Sequence, residues 1–136
     1  MSYIVDNMIS EIGGFIMPIT DSPLRYPGGK TKIYNKVKKI IDSVLEPDDR
    51  IYIEPYAGGA GLALKLLFNG DVDRLILNDL DYHIFCFWDV CINDTDNFCS
   101  LIKNVDVTLQ EWNRQKEIYK NPRNTRFWKL VLQHFI

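Results

Sequence analysis

The chain has 136 residues, of which 46% are hydrophobic and 25% are charged, and this composition indicates a folded protein of about one domain. Its net charge of −2 argues against a protein that grips nucleic acid through overall charge alone. No apolar run approaches the roughly 18 residues of a membrane span, and the first twenty residues lack a signal-peptide pattern.

Positive charge is concentrated in one segment. Residues 25–39 contain no acidic residue and six basic ones, namely Arg25, Lys30, Lys32, Lys36, Lys38 and Lys39. The three cysteines, Cys86, Cys91 and Cys99, form no CxxC pair. They predict free thiols buried among aromatic neighbours in a cytoplasmic protein, with no disulfide framework and no metal site.

The start of the chain shows no regular periodicity. Residues 1–22 are therefore predicted to be an extension. Met17 is an alternative start, in which case residues 1–16 would lie upstream of the protein and have no role in its fold.

Helices and short apolar strands alternate after Thr31. The pattern predicts, in order, a helix from Thr31 to about Pro47, a strand at Arg50–Glu54, a small-residue loop at 55–61, a helix at Leu62–Asn69 closed by Gly70, a strand at Leu75–Leu77 and a helix from about Asp81 to Cys91. Further helix is predicted after Asn93, with a break at 104–108 followed by a capping box of Thr108 and Glu111. The alternation favours a parallel sheet with crossover helices.

A glycine-rich turn between a strand and a helix is a general ligand cradle, because backbone N–H groups can approach the ligand there. An acid at the tip of the next strand can accept hydrogen bonds from ribose hydroxyls. Asp79 follows Glu54 by 25 residues, which suits such a unit and predicts an adenosine-type cofactor. A tight turn beside a solvated acid is the alternative. The spacing of Gly58, Gly59 and Gly61 departs from GxGxxG, which weakens a dehydrogenase interpretation.

Three segments resemble the DNA adenine methylase family, in that family's order: Leu24–Lys30 (LRYPGGK), Tyr52–Gly61 (YIEPYAGGAG) and Leu75–Asp79 (LILND). The resemblance implies an α/β chain. It would be a partial Rossmann-like methyltransferase fold with an incomplete parallel sheet, followed by the start of a helical target-recognition insertion. It also implies S-adenosylmethionine as cofactor and DNA as partner.

The resemblance assigns cofactor binding to eight residues: Tyr26, Lys30, Glu54, Pro55, Ala57, Gly58, Gly59 and Asp79. Tyr26 would pack near the sulfonium, since an aromatic face attracts a cation. Lys30 would pair with the methionine carboxylate or with a nearby acid. Glu54 would orient the loop or meet the ammonium, and Asp79 would take the ribose hydroxyls.

The family's catalytic motif, Asp-Pro-Pro-Tyr or a close variant, has no counterpart here, since the six prolines include no Pro-Pro pair. We therefore assign no catalytic residue and expect the chain to be truncated and inactive alone. The alternatives are a non-catalytic cofactor-binding module, or one half of a split enzyme whose second chain carries the motif.

The predicted organisation is a cofactor-binding part at 23–84, the beginning of a helical DNA-recognition part at 85–122 and a divergent tail at 123–136. Four basic residues are weak candidates for phosphate contacts: Lys103, Arg114, Lys116 and Lys120. A solvated helix face is the preferred interpretation of these residues. Read in a shifted frame, permitted codons for the tail encode a peptide like the family's own continuation. This suggests a frameshift near residue 123.

Overall fold

The computed structural model describes the backbone of residues 2–6 and the whole of residues 21–120. They form two compact units divided between Asp79 and Leu80, called here the first and second units. The elements are β1 (Ser2–Asp6), a 3-10 turn (Lys30–Ile33), α1 (Tyr34–Val44), β2 (Ile51–Glu54), α2 (Gly61–Phe68), β3 (Arg74–Asn78), α3 (Tyr82–Asn93), α4 (Thr95–Asn104) and α5 (Leu109–Lys120).

The first unit contains a three-stranded sheet in the order β1-β3-β2. Strands β2 and β3 run parallel, with Ile51 opposite Arg74, because the helix between them returns the chain to the same end of the sheet. β1 pairs antiparallel with β3, and Ser2 lies opposite Asn78. The prediction of a parallel sheet is therefore correct for β2 and β3, whereas the described sheet as a whole is mixed.

β1 is an element that the sequence pattern failed to predict. Its pairing partner lies about seventy residues away, so no local turn signal accompanies it. Ser2–Asp6 therefore form a strand within the segment predicted as an extension at residues 1–22. A start at Met17 stays a prediction.

Helix α2 supplies most of the core of the first unit. Its Leu62, Leu66 and Leu67 are almost fully buried, as are Leu75 and Leu77 on β3. Side chains of this size each contribute about 1.5–3 kcal/mol when they are removed from water.

The predicted closure of α2 at Gly70 is confirmed. Gly70 has a φ of +68°, which favours glycine, and its N–H donates to the Leu67 carbonyl at 3.0 Å. The next N–H, of Asp71, donates to the Leu66 carbonyl at 2.9 Å. Together these two bonds satisfy the carbonyl groups at the end of the helix.

β2 has one covered face and one open face. Tyr52 and Glu54 point to the side where Glu54 is buried, whereas Ile51 and Ile53 on the other side are 41% and 58% exposed. Parallel strands are normally covered on both faces, so these isoleucines mark a layer that the described residues do not supply. Among the described residues, β2 pairs with β3 alone.

A polar cluster ties α1 to the end of α2. The buried carboxylate of Asp71 accepts hydrogen bonds from the Tyr34 hydroxyl at 2.5 Å and from the ammonium of Lys38. Lys38 also pairs with Asp42 at 3.2 Å. Neighbouring Asp71 is the main cause that raises the pKa of Tyr34 and of Lys38.

The described part of the second unit, residues 80–120, contains α3, α4 and α5. The Asp81 carboxylate caps α3 by accepting a hydrogen bond from the His83 N–H at 2.9 Å. Phe87 is fully buried and meets the rings of Trp88 and Phe98 edge-on, at 5.0 and 6.1 Å between centroids. His83 stacks on Tyr119 of α5, at 4.1 Å between centroids.

The capping box predicted for α5 forms in one of its two halves. The Thr108 hydroxyl accepts a hydrogen bond from the Glu111 N–H at 3.1 Å. The Glu111 carboxylate instead accepts hydrogen bonds from Arg114 at 2.6 and 2.7 Å and from Gln115 at 2.5 Å. A charged guanidinium is a stronger donor than a backbone N–H, which explains the difference.

The three cysteines differ in environment. Cys86 is buried, as predicted, but Cys91 is partly exposed and Cys99 is exposed, so the prediction of three core thiols is wrong. Cys99 lies on the outer side of α4, because Phe98 takes the buried position of that turn. Within residues 21–120 no group of three or more metal-ligating side chains comes together, and no described helix is long and apolar enough to cross a membrane.

We expect one of the thiols to react much faster than the other two. Burial raises the pKa of Cys86 to about 11 and that of Cys91 to about 12, so both stay protonated near neutral pH. Labelling of the folded chain with a disulfide reagent near pH 8 should therefore show one rapid thiol, which Cys99→Ser removes. Equal reaction at all three positions would contradict this assignment.

Candidate functional site

A cleft of about 830 Å³ opens in the first unit, at the carboxyl ends of β2 and β3. Its walls come from three separate segments of the chain: residues 21–31, residues 54–65 and Asp79. The three segments with a family resemblance therefore meet around one cavity. Ligand sites of parallel sheets occupy this end of the strands, where loops and helix amino termini converge.

The glycine-rich loop after β2 is tied to the end of β3. The Asn78 carbonyl accepts a hydrogen bond from the Ala57 N–H at 2.9 Å, and the Asn78 side chain donates to the Pro55 carbonyl at 2.9 Å. The next residue, Asp79, accepts a hydrogen bond from the Gly58 N–H at 2.8 Å. Asn78 therefore holds the loop in place, a role that the sequence analysis did not assign.

Two glycines allow the chain to approach itself closely at the cleft. A β-carbon on Gly58, where φ is +46°, would lie 2.8 Å from the Tyr26 ring. A β-carbon on Gly59 would lie 2.6 Å from the Leu24 carbonyl oxygen, which is backbone and cannot move aside easily. Both glycines are therefore needed to seat the Leu24–Lys30 segment against the loop.

Lys30 joins the segment before α1 to the end of β2 and the loop that follows it. Its ammonium donates to the Glu54 carboxylate at 3.0 Å and to the Tyr56 carbonyl at 2.6 Å. The Glu54 side chain is only 4% exposed, whereas that of Lys30 is 40% exposed. Of the two partners predicted for Lys30, the structure provides the nearby acid. Glu54 acts on the loop indirectly, because the lysine that it binds also donates a hydrogen bond to the Tyr56 carbonyl.

The predicted cofactor residues are almost all brought together. Seven of the eight line the cleft: Tyr26, Lys30, Glu54, Ala57, Gly58, Gly59 and Asp79. Pro55 lies in the same loop but contributes its carbonyl to Asn78 rather than a surface to the cavity. The sequence analysis missed Leu24, Thr31 and Tyr56 as lining residues. Tyr56 stands directly between two predicted residues, which is the signal that could have identified it.

Tyr52 has the most strongly shifted acidity near the site. Burial, and then the neighbouring Glu54 carboxylate at 3.4 Å, raise the pKa of Tyr52 to about 12. The folded state therefore favours the neutral phenol. This contribution to stability is present below the ordinary tyrosine pKa of 10.0 and is lost as the pH rises through about 12.

A comparison with Tyr52→Phe tests this expectation. Phenolate absorbance followed in both proteins, with circular dichroism as the check on folding, should differ by one ionisation near pH 12. A difference centred near pH 10 in the folded protein would contradict the assignment.

The predicted DNA-contacting residues lie in the second unit and are largely engaged within their own helices. Arg114 pairs with Glu111, and Lys120 pairs with Glu117 at 2.7 Å. The Lys116 ammonium lies over the Trp112 ring, 4.7 Å from its centroid. Lys103 is exposed in the last turn of α4. Their role in DNA binding stays a prediction.

Comparison with known proteins decides the family. The model of the D12 class N6 adenine-specific DNA methyltransferases matches residues 26–132, which is most of the chain. The chain belongs to this family. The resemblance drawn from the three segments is thereby confirmed. The family match also continues past Pro122, where the sequence resemblance was expected to fade, and the frameshift stays a prediction.

A curated relative is also a methyltransferase. The Type II methyltransferase M.MjaIII of Methanocaldococcus jannaschii is 28% identical over 101 residues, which are 71% of this chain and 35% of that protein. The chain thus spans about a third of the length of this curated relative. No solved structure matches the chain.

Proposed function

We propose that the first unit is the S-adenosylmethionine-binding part of a protein that methylates adenine N6 in DNA. The observation that carries the proposal is the meeting of Tyr26, Lys30, the 54–59 loop and Asp79 around one cleft. These segments are far apart in the sequence, but they line the same cavity, so they would contact the same ligand. Its volume of about 830 Å³ suits a ligand of this size, since such sites span roughly 300–1,000 Å³.

The polar groups of the cleft fit the charges of the proposed cofactor. Asp79 at the end of β3 would accept hydrogen bonds from the ribose hydroxyls while it holds the Gly58 N–H. The Tyr26 ring, packed beside Gly58 and 46% exposed, would face the sulfonium. Pro55, Ala57 and the glycines would hold the backbone close to the ligand.

Lys30 and Glu54 support the proposal in a more specific way than the sequence suggested. An ammonium has three N–H bonds, and those of Lys30 towards Glu54 and the Tyr56 carbonyl account for two of them. The third can donate to the methionine carboxylate. The buried charge of Glu54 keeps the lysine at the wall of the cleft, so the pair would position the ligand rather than react with it.

The bound cofactor would supply the methyl group, carried on its sulfonium as an electrophile. The described residues would bind and orient it and exclude water from its glycine-lined side. The acceptor adenine would be held by residues that the described part of the chain does not contain, since no Asp-Pro-Pro-Tyr motif occurs in the sequence. A second chain that carries this motif is one candidate partner.

The second unit would begin the DNA-recognition part at residues 85–122. Lys103, Arg114, Lys116 and Lys120 are its candidate phosphate contacts, and a DNA substrate is consistent with a cytoplasmic protein. The absence of the motif favours one alternative, namely a module that binds the cofactor without transferring its methyl group.

Calorimetric titration and a transfer assay test the proposal together. S-adenosylmethionine should bind the chain saturably at one site, and labelled methyl transfer to adenine-containing duplex DNA is then measured with the same preparation. Binding with transfer supports a complete enzyme, and binding without transfer supports the module. A folded, monodisperse chain that shows no saturable binding would contradict the proposal.

A further inference from the structure

A row of lysines lies on the exposed side of α1 and of the 3-10 turn that leads into it. Lys32, Lys36 and Lys39 follow one another at spacings of four and three residues, so they project from one side, called here the α1 lysine face. All three are exposed. The packed side of the same helix carries Tyr34, which precedes Lys36 by two residues, and Ile41, which follows Lys39 by two. Two residues correspond to about 200° of rotation around the helix axis, so the lysines lie on the side opposite Tyr34 and Ile41.

The positive charge of this face is not balanced locally. Elsewhere in the first unit, Lys38 pairs with Asp42 and Asp71, and Arg50 pairs with Asp42. Across the described residues, no carboxylate lies within ion-pair distance of the α1 lysine face. Like charges at this spacing repel one another and weaken a helix. The three lysines therefore gain no stabilisation from ion pairs within the described residues, and they concentrate positive charge on a chain of net charge −2.

We infer that the α1 lysine face contacts the phosphates of the DNA substrate, independently of base sequence. The inference rests on the proposed function, which supplies DNA as the polyanion. Lys32 and Lys39 are separated by about 10 Å along the helix axis, a length that covers about three nucleotide steps of one strand. Long, flexible ammonium side chains suit phosphates as point charges.

The location of the face favours this partner. Lys30 and Thr31, which precede Lys32 in the same turn, line the cofactor cleft, so the lysines lead away from that cavity. The basic residues of the second unit are less available, because Arg114 and Lys120 already have carboxylate partners on α5. The first unit would thus contribute phosphate contacts in addition to those proposed for the second unit.

Two triple variants of the full chain test the inference. Lys32, Lys36 and Lys39 are each replaced by glutamine in one variant, and Lys103, Lys116 and Lys120 in the other, so that both lose the same charge. Glutamine preserves helix propensity. Anisotropy of two labelled duplexes of unrelated sequence is measured over a range of salt concentrations. Calorimetry with S-adenosylmethionine is run on the same proteins, and circular dichroism checks their helices.

The α1 variant should bind both duplexes roughly tenfold or more weakly at low salt, and its log–log salt slope should fall by about 2.7. A salt slope that stays unchanged in the α1 variant, or no DNA binding by the unmodified chain, would overturn the inference. Cofactor binding reports separately on the proposed function. Its absence, with the α1 effect intact, would reject the cofactor proposal and leave the lysine surface standing.

Discussion

Replacing Asp79 with alanine is expected to weaken S-adenosylmethionine binding by about 100-fold. The carboxylate lies at the carboxyl end of β3, lines the cleft and accepts the Gly58 N–H at 2.8 Å. The variant would lose the proposed ribose contact and one of the bonds that shape the loop. A 100-fold loss corresponds to about 2.8 kcal/mol, and a hydrogen bond to a charged group contributes about 1.5–3 kcal/mol, so the ribose contact alone can account for it.

Two further variants make the Asp79 test specific. Asp48→Ala removes an exposed carboxylate from the loop before β2 and should leave cofactor affinity unchanged. Asp79→Asn keeps an oxygen acceptor for Gly58 and should fall between the wild type and Asp79→Ala. Calorimetry gives the affinity, and thermal unfolding without ligand shows whether the loop has lost stability. Full affinity in a folded Asp79→Ala protein would reject the ribose assignment.

Lys30→Met is expected to lower the free energy of unfolding by about 2 kcal/mol and to abolish measurable cofactor binding. The substitution leaves the Glu54 carboxylate buried without its cation and frees the Tyr56 carbonyl. Removing one partner of a fully buried pair costs about 3–5 kcal/mol, but Lys30 is 40% exposed, and solvent screening reduces that figure.

A second substitution separates the cost of leaving the Glu54 charge unpaired from the other effects of replacing Lys30. Glu54→Gln removes the buried negative charge, so the double variant should be more stable than Lys30→Met alone while still failing to bind the cofactor. Denaturant unfolding of the four proteins gives the coupling free energy between the two side chains. Destabilisations that simply add would show that the pair makes no energetic contribution as a pair.

The local elements of the first unit could be predicted because each carries its own signal. The apolar periodicity of α1, the β-forming residues of β2 and Gly70 after α2 all act within a few residues of chain. β1 could not be predicted in this way, since its pairing with β3 is a long-range contact. The exposed Ile51 and Ile53 were also unpredictable, because the sequence pattern assumes that a parallel strand is covered on both sides.

The sequence predicted which residues line the site, but it did not predict the hydrogen bonds that link them. Resemblance identified the segments, and Asp79 lies at the strand end, where its spacing from Glu54 predicted it to lie. The partner of Lys30 remained open, because a lysine side chain can reach several acceptors and only the folded geometry selects among them. The role of Asn78 depends on a carbonyl and an amide that meet two different residues of the loop, and neither contact leaves a trace in the sequence pattern.

The loop from Pro55 to Gly58 is tethered by the protein's own hydrogen bonds, through Asn78, Asp79 and Lys30. The conformational entropy of this loop is therefore lost during folding, before a ligand binds. Binding does not need to order the loop, so less of the interaction free energy is offset and the affinity is higher. Amide hydrogen exchange in this loop should consequently be slow before ligand is added and should change little afterwards. Association should follow a single encounter step, without a slower closing phase.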